Sequence, residues 1–122
     1  MNYENIIDIL VAEFPSIKKD LEENNYMQGL PHLVFGIIFV SKIRNFCEMK
    51  DTLNLRKTGE LIERMLSSDD IKTKEVADVS ILEPIVFGGR DIIITLKDFL
   101  YSKGLESLNF WEERFKKSRS GI

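Results

Sequence analysis

The stretch Gly29 to Phe46, GLPHLVFGIIFVSKIRNF, decides the fold. It contains the longest uninterrupted apolar run, Leu33–Val40, the chain's only histidine, His32, and two residues that shape the backbone, Pro31 and Gly36. Gly29-Leu30-Pro31 reads as a break followed by a helix start, with Pro31 in the first helical position, where its missing N–H has no intrahelical partner to lose. Onward to Cys47, apolar residues fall on every side of the helix, which predicts a buried, central element over 31–47. The β-branched and aromatic residues of Val34–Val40 also suit a buried strand, but about 16 residues exceed ordinary strand length, so helix is the better reading. Gly36 inside it costs about 1 kcal/mol against alanine. Close approach of a neighbouring helix would explain it.

Working outward, Tyr3, Ile6, Ile7, Leu10, Val11 and Phe14 fill an arc of about 140° on a helix that Asn2 can cap. Ile17 and Leu21 mark a short second helix beyond Pro15. After the central helix, Asp51 or Asn54 can cap a fourth, whose core face is Leu55, Thr58, Leu61, Ile62, Met65 and Leu66 and whose outer face offers a Glu60–Arg64 pair. Ser67-Ser68-Asp69-Asp70 is a turn that can cap a fifth helix, with Val76, Val79, Leu82 and Val86 toward the core and Pro84 kinking or ending it. Gly88-Gly89 breaks the chain. Asp91–Thr95 contains three isoleucines, but no second strand exists to pair with it, so a sixth helix over 92–102 is expected, capped by Asp91 and stopped at Gly104. Leu108, Trp111 and Phe115 define a last helix with a basic end. The expected architecture is all-α: one domain over 1–122, a compact bundle of six or seven short helices around the apolar helix 31–47. Residues 54–86 admit a hairpin of helical-repeat type, without a second copy.

Composition bounds function. Of 122 residues, 43% are hydrophobic and 30% charged, as in ordinary globular proteins. A net charge of −3 argues against general nucleic-acid binding. The lone Cys47 has no disulfide partner within the chain, the first residues lack a basic secretory leader, and the eight-residue apolar run is far short of the roughly 20 residues of a membrane span. A cytoplasmic location is expected.

Chemistry is sparse. One histidine and one cysteine do not make a zinc set, Gly88-Gly89-Arg90-Asp91 lacks the pattern of a phosphate loop, and no acidic loop has calcium-binding spacing, so no metal or cofactor is expected. His32 and Cys47 are about 22 Å apart along one helix, out of reach of each other. Both read as structural, and no catalytic residue is expected. Residues 1–30 carry six acids and two bases. With Asp69-Asp70 they suggest a surface for a basic partner, since complementary charge speeds association and selects partners.

The segments EFPSIKKDLEEN (13–24), GLPHLVFG (29–36), EVADVSILEPIVFG (75–88) and FWEER (110–114) together resemble a family of small helical bacterial proteins, some of which look like immunity proteins of polymorphic toxin and contact-dependent growth inhibition systems. The resemblance spans nearly the whole chain, with Leu30-Pro31-His32 and Phe35-Gly36 its most specific part. It implies a non-enzymatic binder that covers a cognate protein toxin, such as a basic nuclease domain, with no direct contact to nucleic acid or membrane. The contacts expected on charge are Glu22, Glu23, Asp69, Asp70 and Glu75. The alternative is a small helical scaffold or adaptor that takes a peptide or assembles with itself.

Overall fold

Pro31 opens the central helix as expected, after Gly29 turns the chain at φ 77°. In the computed structural model, which describes the backbone of residues 1–120 and the side chains of residues 1–118, Pro31–Leu33, Val34–Phe39 and Val40–Glu48 run on as one helix. Its neighbours are Ile6–Glu13 (α1), Ile17–Glu23 (α2), Thr52–Leu66 (α4), a second continuous helix over 71–88 (α5), Arg90–Lys97 (α6) and Ser102–Ser120 (α7), the helix 31–48 being α3. The chain is all-α: seven helices and no strand among the described residues.

The core closes around α3. Phe35, Phe39 and Ile43 are fully buried together with Leu10, Ile17, Leu55, Ile62, Ile81, Leu96 and Leu108. Each such side chain is worth roughly 1.5–3 kcal/mol when removed from water. Phe14 of the turn after α1 joins Phe39 and Phe46 at ring distances of 5.1 and 5.8 Å, which ties the N-terminal helices to the centre. The α2 helix lies along α3 and is pinned by Lys42–Asp20 at 3.1 Å. The helix α5 also packs on α3.

Both α3 and α5 contain a π-helical stretch, Val34–Phe39 and Val76–Leu82. In the first, Val40 N–H donates to Phe35 O, and in the second Glu83 N–H donates to Asp78 O, each five residues back. Of the two alternatives for Pro84, kinking or ending the helix, the second is excluded: α5 continues to Gly88. The widened turn immediately before Pro84 spares the ring the tight turn it would clash with, and helices at π-bulges bend rather than stop.

Other expectations yield to tertiary contacts. Helix α1 starts at Ile6, not beside Asn2; Asn2 and Asn5 instead exchange two backbone-to-side-chain bonds of 2.9 and 3.1 Å, and Tyr3 stands outside the helix. Asp51, rather than Asn54, caps α4. Arg64 reaches Glu13 at 3.4 Å instead of Glu60. The sixth helix spans Arg90–Lys97, capped by Gly89 (φ 150°) rather than Asp91, and Gly104 lies inside α7, buried against Leu100. The start of α7 is held by Glu63 of α4, whose carboxylate accepts from the N–H groups of Lys103 and Gly104 at 3.1 and 3.0 Å. That cap comes from a distant helix, so local sequence does not announce it.

Candidate binding surface

The two π stretches set up a surface. An α-helix has 3.6 residues per turn and a π turn is wider, so a helix mixing them repeats at about four residues. Side chains four apart then stay in line instead of drifting around the helix. On α3 that line is His32, Gly36, Val40 and Arg44; on α5 it is Val76, Ser80, Pro84 and Gly88. These rows meet. His32 Nδ1 is 2.6 Å from Ser80 Oγ, a Cβ on Gly36 would lie 3.3 Å from Ser80 O, and Arg44 Nη2 donates to Pro84 O at 3.4 Å while packing on Gly88. The numbers rise together, so α3 and α5 run parallel.

Two right-handed helices in parallel contact along such rows leave a defined side beneath and above. Beneath are Phe35, Phe39 and Ile43 of α3 and Ala77, Ile81 and Ile85 of α5, all buried. Above are Leu33, Ile37 and Ser41 of α3 and Glu75, Val79, Glu83 and Phe87 of α5. Leu33 is 37% exposed, Ile37 52% and Val79 43%. This corrects two sequence readings. The central helix is not buried on every side, and Val79 does not face the core. A strict 3.6 period groups Val79 with Val76 and Leu82; the π turn rotates it outward.

His32 and Ser80 form a close hydrogen-bonded pair, with the proton supplied by either partner. A serine beside an imidazole is the first contact of a nucleophile and its base. Here Ser80 is only 7% exposed, and its Cβ and carbonyl are pressed on Gly36, so the pair works as a strut across the seam. Tyr3 covers one end of the strut, 5.8 Å from the His32 ring, and Lys72 lies over the Tyr3 ring. Cys47 sits at the far end of the same helix, buried, with its thiol pushed up by burial first and by Glu48 second. Among the described residues no group of His, Cys, Asp and Glu is placed to hold a metal ion, and no helix is long and apolar enough to cross a membrane.

The five acids expected to bind a partner separate into two groups. Glu22 and Glu23 end α2, exposed. Asp69, Asp70 and Glu75 cluster at the start of α5. Asp70 has structural work: its carboxylate accepts from Tyr3 N–H at 2.7 Å and from Thr73 Oγ1–H at 2.8 Å. Its carboxyl is held below the usual range, chiefly by the Thr73 hydroxyl, with the Tyr3 amide and Lys72 assisting against a burial penalty. Glu75 is exposed and stands in the upper row with Glu83, beside the apolar residues. Reasoning from charge missed Leu33, Ile37, Val79 and Glu83. No local sequence signal marks them: i, i+4 spacing belongs to any α-helix, and the two rows emerge only with the π turns.

No curated protein and no solved structure matches this chain. A family pattern does match, over residues 7–117, and that span reaches into all seven helices and covers the whole α3–α5 seam. The chain therefore belongs to the family described as a domain of unknown function (DUF7674).

Proposed function

We propose that this chain is a binding protein of the immunity type, which neutralises a cognate bacterial toxin domain in the cytoplasm by tight, non-catalytic association. The observation that carries the reading is the upper face of the α3–α5 pair: Leu33, Ile37 and Val79 exposed side by side, with Glu75 and Glu83 in the same row as Val79. Interfaces are built from an apolar centre and a polar rim, and a stable one takes about 800 Å² per partner. The acidic edge suits a basic partner such as a nuclease domain and would speed its capture. Glu22 and Glu23, on the helix flanking α3, extend the acidic rim in this reading, whereas Asp70 contributes by fixing the start of α5.

The test is co-expression with the protein encoded immediately upstream. Protection from growth arrest and a co-purifying complex are expected. Ile37→Lys should abolish both while leaving the melting temperature unchanged, because an exposed substitution shifts stability by no more than about 0.5 kcal/mol. Glu75→Lys with Glu83→Lys should slow association and flatten its salt dependence, because the attraction that salt screens is removed. Full protection by Ile37→Lys would remove this face from the mechanism. The exposed apolar row also suits a second copy of the chain, the scaffold reading. Sedimentation that shows a dimer lost on Ile37→Lys, with no upstream partner bound, would favour that instead.

A further inference from the structure

Beyond Leu33, Ile37 and Val79, the ends of α5, α6 and α7 enclose a second feature, which adjoins the upper row at Phe87. Where α5 stops at Gly88 and α6 starts after Gly89, Gly89 carries no side chain to fill the corner, nothing else lies within 4 Å of where its Cβ would be, and α7 also lines the space. The result is a concave pocket of about 720 Å³. Small-molecule sites measure roughly 300–1,000 Å³ and combine apolar walls with a few placed polar groups. Val86 and Ile93 form a buried floor, and Phe87 and Phe115, with ring centroids 5.1 Å apart, form an aromatic wall.

The charges at the mouth are not balanced. Glu112 is the acid of the lining, and Lys97 already answers it at 3.0 Å. Arg90 also lines the pocket and makes no hydrogen bond or ion pair among the described residues. Lys116, also in the lining, has Glu113 at 3.8 Å. Arg90 is therefore the cation at the rim of the apolar cup that has no carboxylate partner among the described residues.

We infer that this pocket binds a small aromatic or similarly flat apolar anion, its body against Phe87 and Phe115 and its carboxylate or sulfonate on Arg90. The guanidinium fork matches a planar two-oxygen anion, and a cation at the edge of an apolar cup is less screened than one on open surface. Gly89 is needed for the corner itself: its φ of 150° is a conformation other residues rarely adopt, and a side chain there would line the opening.

The experiment is a titration of the intact chain with 1-naphthoate, followed by amide NMR shifts, with neutral 1-naphthamide as the matched control. Saturable shifts confined to residues 86–93 and 112–116 are expected, with about tenfold weaker binding of the amide, the equivalent of one lost charged contact. Arg90→Glu should weaken naphthoate by at least that factor, and Phe87→Ala should weaken both probes. Arg90 and Phe87 are exposed, so both variants should fold, which the unchanged amide spectrum elsewhere would verify. Equal affinity for acid and amide, no effect of Arg90→Glu, or shifts scattered over the surface would each overturn the inference. The toxin-binding reading is tested separately, in the growth assay with variants of Ile37, Glu75 and Glu83, none of which lines this pocket.

Discussion

The seam between α3 and α5 and the junction between α4 and the entry to α7 both press a glycine on a backbone carbonyl, but with different slack. At Gly36 a Cβ would stand 3.3 Å from Ser80 O, a tight contact that a small shift relieves. At Gly59 the added Cβ would fall inside the carbonyl of Phe99, with the peptide carbon and the next nitrogen directly behind it. The second junction is locked further by Glu63, which holds two amides at the start of α7. The first relies on one side-chain pair, His32–Ser80, and one long bond from Arg44. The rigid junction lies inside the core; the seam with slack carries the exposed apolar face. Binding faces are commonly drawn from the less tightly held parts of a fold.

The sharpest way to break this comparison is alanine at both glycines. Gly59→Ala should lose about 3 kcal/mol, since overpacking against backbone leaves no side chain to yield. Gly36→Ala should change stability by less than about 1 kcal/mol, because the gain in helix propensity offsets the tight contact. Urea melts of the two variants measure both. Equal losses would mean that the two approaches are equally rigid.

Next in size is Ser80→Ala, which removes the strut. The loss should be about 1 kcal/mol, the net worth of one hydrogen bond, because His32 is exposed enough for water to take the place of the hydroxyl. His32→Ala should cost a similar amount and, in a double-mutant cycle with Ser80→Ala, should add little further. Additive losses would show that the two residues act separately and that the seam has another fastening.

This contrast also marks what the sequence reveals. Pro31, the apolar run after it and the period-3.6 faces of α1 and α4 place the central helix and most of the core, because burial there follows local periodicity. What escapes is every feature made by a partner distant in sequence. Arg64 has Glu60 at ideal helical spacing yet pairs with Glu13. Gly104 looks like a helix stop but serves as a packing position against Leu100. Val79 looks like core until the π turn rotates it to solvent. The acids were visible as a group, but composition does not separate Asp70, spent on Tyr3 and Thr73, from Glu75, which stands free on the surface.

The smallest effect concerns the latch at the end of the seam. Asp70 joins the first residues to α5, and Ser68 Oγ–H adds a bond to Met1 O at 3.1 Å. The carboxyl of Asp70 is lowered by the Thr73 hydroxyl foremost. A carboxyl lowered in the folded chain binds its proton more readily when unfolded, so its contribution is complete at neutral pH, above the unfolded value of about 4. It is lost as pH falls through the lower, folded value. Acid should therefore release Tyr3 before it disturbs Gly36, since the seam itself contains no carboxylate in its contact rows. Protection of the Tyr3 and Gly36 amides from hydrogen exchange, taken relative to the free-peptide rate at each pH from 6 to about 3, tests this, with Asp70→Asn expected to remove the pH dependence of protection at Tyr3. If Gly36 loosens in step with Tyr3, the latch and the seam are one unit, and the slack assigned to the α3–α5 pair begins at its acidic end.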